Sequence, residues 1–212
     1  MSALALYAGQ LAEGIAALGL DIPAATQARL IAFGELLLKW NKVYNLTAIR
    51  APQEVLTHHL LDSLAVLPHL SAVTRLADIG SGGGLPGIPL AIVRPELSVT
   101  SVETVNKKAT FQQQARIELG LANFQPVNAR VENLQPEHPY DGVISRAFSS
   151  LKDFVELAGH LVGAGGALYA MKGVRPDDEV AALPAGWKLH AVHALTVPGL
   201  GAERHLLVIV RG

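Results

Sequence analysis

Asp78-Ile79-Gly80-Ser81-Gly82-Gly83-Gly84-Leu85-Pro86-Gly87 is the stretch that decides the fold of this chain. It places five glycines within residues 80–87, directly behind the apolar run Leu76, Ala77 and ahead of a helix-like segment. Glycine costs backbone entropy wherever it is fixed. A cluster between a strand and a helix therefore marks a turn where a ligand approaches the main chain closely. Gly82, Gly84 and Gly87 spell G-x-G-x-x-G, and Glu103 follows about twenty residues on, as a ribose-binding acid does in a dinucleotide site. A purely structural glycine turn satisfies the same pattern.

Working outward, 212 residues with 50% apolar content are enough to bury a sizeable core in one main domain with a small appendage. The chain has no cysteine, which excludes a disulfide framework, zinc-thiolate sites and thiol catalysis, and fits a reducing cytoplasm. The apolar stretch from Leu4 to Leu20 is interrupted by Gln10 and Glu13 and has no basic leader, so neither a signal peptide nor a membrane span is expected. Seventeen basic against eighteen acidic residues give a net charge of -1, where a nucleic-acid binder often carries a basic excess. The balance hides a local bias. From Lys39 to His59 the charges are Lys39, Lys42 and Arg50 against only Glu54, with His58 and His59 alongside. Such a cluster is an RNA-facing surface or merely a solvated face.

Periodicity predicts helices over 3–19, 24–43 and 52–67, a loop from Asn41 to Arg50, and Pro68 as a helix stop. From there strands and helices alternate: strand 74–79, helix 86–94, strand 98–103, helix 106–120, strands 124–128 and 142–145, helix 150–162, strand 167–171 and a short helix 177–182. Apolar segments 187–197 and 204–211 then finish the sheet as an antiparallel pair. This is an α/β pattern with a mostly parallel, doubly wound Rossmann-like sheet. Residues 1–70 form a helical cap, and 71–212 the core on which it packs. In such a sheet ligands sit beyond the carboxyl ends of the strands where strand order reverses. Asp78 to Gly84, Glu103, Ala129 to Glu132, and Ser145-Arg146 all fall at such ends.

Asp78, two residues before Gly80, gives the form Asp-x-Gly-x-Gly, which resembles the first motif of class I S-adenosylmethionine-dependent methyltransferases. The resemblance becomes specific in six strings: Lys39 to Thr47 (KWNKVYNLT), His59 to Leu64 (HLLDSL), Asp78 to Pro89, Tyr140 to Ala147 (YDGVISRA), Met171-Lys172-Gly173, and Glu203 to Leu206 (ERHL). In this order they resemble the successive motifs of the RsmG family, also called glucose-inhibited division protein B, over nearly the whole chain. The resemblance implies methyl transfer from S-adenosylmethionine to N7 of a guanine in the 530 loop of 16S ribosomal RNA, in the decoding region of the small subunit. It also implies a cytoplasmic monomer whose partner is that RNA, free or within the subunit. Cofactor contacts are expected from Asp78, Gly80, Gly82, Leu85, Val131, Glu132 and Arg146, with Glu103 on the ribose. The chain departs from the family pattern at His58, where arginine is common, and at Glu103-Thr104, which replaces Asp-Ser.

Each candidate has a plainer role beside the functional one. Glu103 can simply stabilise the start of its helix, and Glu132 can be a surface carboxylate. Arg146 is the candidate catalytic residue, its guanidinium clamping a cofactor carboxylate or an RNA phosphate, against a surface ion pair with Asp153. As an exposed strand-end residue it is expected to add little to folding. Asn41, Asn45, Thr47, His59, Lys172 and Arg204 are the candidate RNA contacts, although asparagines in loops also cap their own turns. Phe33 and Trp40 read as core. His58, His59 and Asp62 do not converge on a metal, because neighbouring helical positions diverge by about 100°; His59 and Asp62 instead share a face, as a contact or a cap over the site. Two other functions fit the glycine loop: an NAD(P)-dependent oxidoreductase, for which residues 105–212 supply no clear hydride-transfer constellation, and a non-enzymatic RNA-binding module.

Overall fold

The computed structural model describes residues 4–146 and 148–212. Residue 3, where the first expected helix begins, and Ala147, the end of the Tyr140 string, lie outside the described residues.

A seven-stranded sheet runs in the order β3-β2-β1-β4-β5-β7-β6. Its members are β1 (Arg75–Ile79), β2 (Ser98–Glu103), β3 (Phe124–Asn128), β4 (Tyr140–Ser145), β5 (Val162–Lys172), β6 (Trp187–Ala194) and β7 (His205–Arg211). β1 to β5 are parallel, while β7 runs antiparallel between β5 and β6. Strand order reverses between β1 and β4. There the Ser145 hydroxyl donates to the Ile79 carbonyl at 2.7 Å, joining the two carboxyl ends.

Alternation along the strands feeds two cores. Leu76, Val99, Ile144, Tyr169, Met171, Leu206 and Val208 pack into one, and Ala77, Val102, Val143, Leu168, Ala170, Leu207 and Ile209 into the other. Burial on both faces is what a parallel sheet demands. The first core is completed by α1 (Ala8–Ala17), α2 (Ala24–Tyr44), α5 (Gly87–Val93) and α6 (Asn106–Glu118). The second is covered by α7 (Leu151–Ala158) through Leu151, Phe154, Val155 and Ala158. Phe33 is fully buried, and Trp40 meets Phe111 edge-on at 5.7 Å between ring centres, so α2 is bound to α6 by aromatic contacts. No helix among the described residues is long and apolar enough to cross a membrane.

Several expected boundaries moved; the helix expected over 150–162, for one, ends at Ala158 and β5 already begins at Val162. α2 agrees with the helix expected over 24–43, and the loop expected from Asn41 begins only after Tyr44. Asparagine disfavours helix interiors because its side chain competes for backbone groups, but here that side chain bonds the following loop: Nδ2 donates to the Ile49 carbonyl and Oδ1 accepts from the Thr47 amide, both at 2.9 Å. The helix expected over 52–67 is wound in three pieces, α3 (Pro52–Glu54), a π-helix over Val55–Leu61, and α4 (Asp62–Leu64). Pro68 lies inside a following 3-10 turn, Leu67–Leu70, rather than ending a helix. A last short helix, α8 (Asp177–Ala181), leads to β6.

Candidate active site

The glycine turn is held from below by acids. Asp78 is fully buried, and its Oδ2 accepts the Gly87 amide at 2.8 Å; a Cβ on Gly87 would stand 2.8 Å from that same oxygen, so only glycine lets α5 start so close to β1. Gly80, Gly82 and Gly84 have φ of 67°, 56° and 79°, the left-handed region open to glycine. Glu103, at the end of β2, accepts the Gly82 amide on Oε2 and the Val105 amide on Oε1, each at 2.8 Å. From α6 the buried Gln112 donates through Nε2 to both the Ser81 hydroxyl and the Gly82 carbonyl at 2.8 Å, while the Ser101 hydroxyl lies 2.6 Å from that of Ser81. The loop is thus preorganised with its outer side free. A Cβ built on Gly82 meets nothing within 4 Å.

That free side opens into a cavity of about 480 Å³. Its walls come from the glycine loop, from the carboxyl-end regions of β4 and β5 with the approach to β7, and from residues 46–62 of the N-terminal helical region. Asp62, only 2% exposed, stands between two arginines: Arg146 Nη1 on Oδ2 and Arg204 Nε on Oδ1, both at 2.9 Å. One carboxylate against two guanidinium groups leaves the wall with net positive charge. Lys172 also lines the cavity, but its ammonium is bound by Glu179 at 3.0 Å and by the Phe148 and Ser149 carbonyls. His59 Nδ1 faces the His58 carbonyl, which can only accept, so the ring hydrogen sits there and Nε2 accepts from the Thr47 hydroxyl at 3.0 Å. Burial, then the charge of Arg146, lowers the His59 pKa to about 4. The imidazole is neutral and a poor base.

Residues 26–207 match the family described as GidB, rRNA small subunit methyltransferase G. The chain is 88% identical, over the full length of both, to the ribosomal RNA small subunit methyltransferase G of Azoarcus sp. (strain BH72). The chain belongs to the GidB family. A second GidB relative, the same-named protein of Aromatoleum aromaticum, is 65% identical over 97% of this chain and its own full length. Among solved structures, a SAM-dependent methyltransferase from Aquifex aeolicus shares the fold with a TM-score of 0.58 at 15% identity, covering 81% of this chain and 97% of its own.

Within this GidB cavity, Gly80, Gly82, Leu85, Arg146, Thr47, His59, Lys172 and Arg204 come together on the walls. Asp78 and Glu103 are not among the lining residues; they hold the loop through the Gly87 and Gly82 amides. Val131 and Glu132 are not among the lining residues: Val131 is buried in the second core, and Glu132 is exposed and paired with Arg130 at 2.8 Å. Asn41 is 2% exposed with both side-chain ends committed to its own loop, whereas Asn45 is exposed and accepts from Arg50 at 2.7 Å. Arg146 pairs with Asp62, not Asp153, and so is tied into the buried structure rather than standing free at a strand end. Sequence reasoning did not single out Leu46, Ser81, Gly83, Met171 or Gly173 as wall residues, though each adjoins one it did name. Gln112 carried no signal, lying in mid-helix.

Two buried groups of this GidB site titrate in opposite senses. Burial raises the Asp78 pKa from 3.8 to about 7, against the opposing pull of the Gly87 amide and Arg146. Its protonated form is favoured in the fold, so the stability it contributes is full below pH 3.8 and lost as pH rises through about 7. The depressed His59 contributes stability above pH 6.5 that is lost as pH falls through about 4. Between pH 4 and 6.5 the two slopes offset. Asp78→Asn removes the first, so the variant's unfolding free energy is expected to rise relative to wild type by about 3 kcal/mol across that window. Urea unfolding at both pH values measures it. Parallel profiles for the two proteins would show that Asp78 does not titrate there.

Proposed function

We propose that this chain transfers a methyl group from S-adenosylmethionine to N7 of a guanine in the 530 loop of 16S ribosomal RNA. The observation that carries the reading is the cavity at the β1/β4 reversal, where a preorganised glycine loop faces an arginine-rich wall that has no strong base free to act. The open space beside Gly82 and the buried acids beneath the loop fit the cofactor. Gly80 and Gly82 would take its methionine part against the main chain, and Glu103 would accept its ribose hydroxyls on lone pairs left beside the Gly82 and Val105 amides. Held there by Gly80, Gly82 and Glu103, S-adenosylmethionine would supply an electrophilic methyl group for guanine N7, the methyl–sulfur bond pair staying on sulfur.

The wall suits an acceptor that needs no deprotonation. His59 is neutral with its lone pair engaged by Thr47, and Asp62 is spent on two arginines. Guanine N7 carries a free lone pair, so positioning supplies most of the catalysis. Within an A-form helix N7 lies in a groove too deep and narrow for side chains, so the accepting base must be in a loop or swung out of its stack. Labelled methyl transfer to unmethylated small subunits should place the label in 7-methylguanosine at one position. RNA carrying 7-deazaguanosine there, with carbon in place of N7, should bind but receive no methyl. Label recovered at that nucleotide in the deaza RNA would move the attack to another atom.

A further inference from the structure

The last turn of α2 carries an exposed aromatic residue two positions before the first cavity-lining residue, Leu46. Leu37, Trp40, Asn41 and Tyr44 share one helix face by their spacing. A Cβ built on Gly83 of the glycine loop would stand 3.0 Å from the Leu37 side chain, which sets this face against the loop. Tyr44 lies two turns further along, about 10 Å by helix rise, and only two residues before Leu46, which lines the cavity. Tyr44 is 44% exposed, and its ring leans on Trp40 at 5.0 Å between centres, tilted by 32°. Trp40 in turn is fixed against Phe111. The ring is therefore held from behind and open in front.

The surroundings are cationic. No carboxylate occurs between Glu35 and Glu54, while Lys39, Lys42 and Arg50 are exposed. Asn45 caps the helix in the left-handed conformation, with φ of 49°, and its Oδ1 holds the Arg50 guanidinium at 2.7 Å beside the turn. A rigid aromatic among phosphate-seeking cations is how proteins grip unstacked bases of single-stranded RNA. We infer that Tyr44 is a base-stacking residue: it takes an unpaired base of the substrate RNA on its exposed ring, next to the nucleotide entering the cavity, while Lys42 and Arg50 meet the flanking phosphates. The inference rests on the reading of the site as a ribosomal RNA methyltransferase.

Methyl transfer to unmethylated small-subunit RNA by the full chain tests both and separates them. If wild type transfers no methyl, the functional reading fails; the inference is judged on the variants of an active enzyme. Tyr44→Ala should raise KM for RNA about tenfold while leaving kcat within about twofold, and Tyr44→Phe, which keeps the ring, should restore the wild-type KM. Stacking is not ionic, so the salt dependence of KM should keep its slope in Tyr44→Ala and flatten in the Lys42→Gln, Arg50→Gln double variant. A merely structural role predicts a different pattern, in which affinity for S-adenosylhomocysteine and the melting temperature change together with KM. That pattern, an unchanged KM in Tyr44→Ala, or failure of phenylalanine to restore it would each overturn the assignment.

Discussion

Gly82→Leu is expected to yield a folded protein whose affinity for S-adenosylmethionine is lower by more than about 100-fold, which is roughly 3 kcal/mol. The Gly82 Cβ direction is open for 4 Å, so a larger side chain has room to exist, but the room it takes is the cavity. The substitution also forces a branched residue to φ 56°, at a cost of about 1–2 kcal/mol. For a chain of this size that lowers the melting temperature by about 2–8 °C. Calorimetry with the cofactor and a thermal melt separate the two effects. Wild-type affinity in the folded variant would remove the glycine loop from the cofactor site.

The second large effect is expected at Asp62. Asp62→Ala withdraws the one carboxylate between Arg146 and Arg204, leaving two guanidinium groups facing each other across a small gap. Breaking a buried ion pair from one side costs about 3–5 kcal/mol. The lower end applies, because both arginine side chains retain about a quarter of their exposure, 25% and 26%, and can turn to water. A loss of about 3 kcal/mol corresponds to roughly 6–12 °C in melting temperature. Methyl transfer should fall by more than about 100-fold, since each arginine loses the carboxylate that orients it and keeps only a carbonyl, His58 for Arg146 and Glu203 for Arg204. Arg146→Ala should destabilise less, as Asp62 keeps Arg204, but not negligibly, which corrects the expectation drawn from a free strand-end arginine. A melting temperature for Asp62→Ala within 2 °C of wild type would mean that the three-residue cluster does not persist in solution.

Most of the fold was legible because its signals are local. Alternation in Leu76-Ala77 and Leu206-Leu207-Val208-Ile209 and the glycines at the first crossover all act within a few residues of themselves. The antiparallel finish was readable for the same reason. What local pattern does not carry is a side chain spent at a distance. Asn41 reads as the start of a loop or an RNA contact until its bonds to Thr47 and Ile49 are seen, and Gln112 reads as one more polar helix residue although it holds a loop 30 positions away. Asp62 shows the limit most clearly: its partners lie 84 and 142 residues along the chain, so its sequence neighbours give only its helix face. Val131 and Glu132 lie just after β3 as a strand-end reading places them, with the Val131 side chain in the second core and Glu132 paired with Arg130 at the surface.

The division of the core between two sheet faces bears on how such an enzyme can arise and be altered. Buried side chains of the N-terminal helices, Leu11, Leu30, Phe33, Leu37, Leu56 and Leu60 among them, share one core with Leu76, Val99, Ile144, Tyr169 and Met171 of the sheet and with α5 and α6. These helices are therefore not a detachable adaptor that could be exchanged for another RNA-targeting module at a linker. A gene fusion or a late start site that discards them leaves a broad apolar surface in water and a recipe for aggregation. Altering the interior of this helical region would therefore disturb the sheet's packing as well as the cavity wall it supplies.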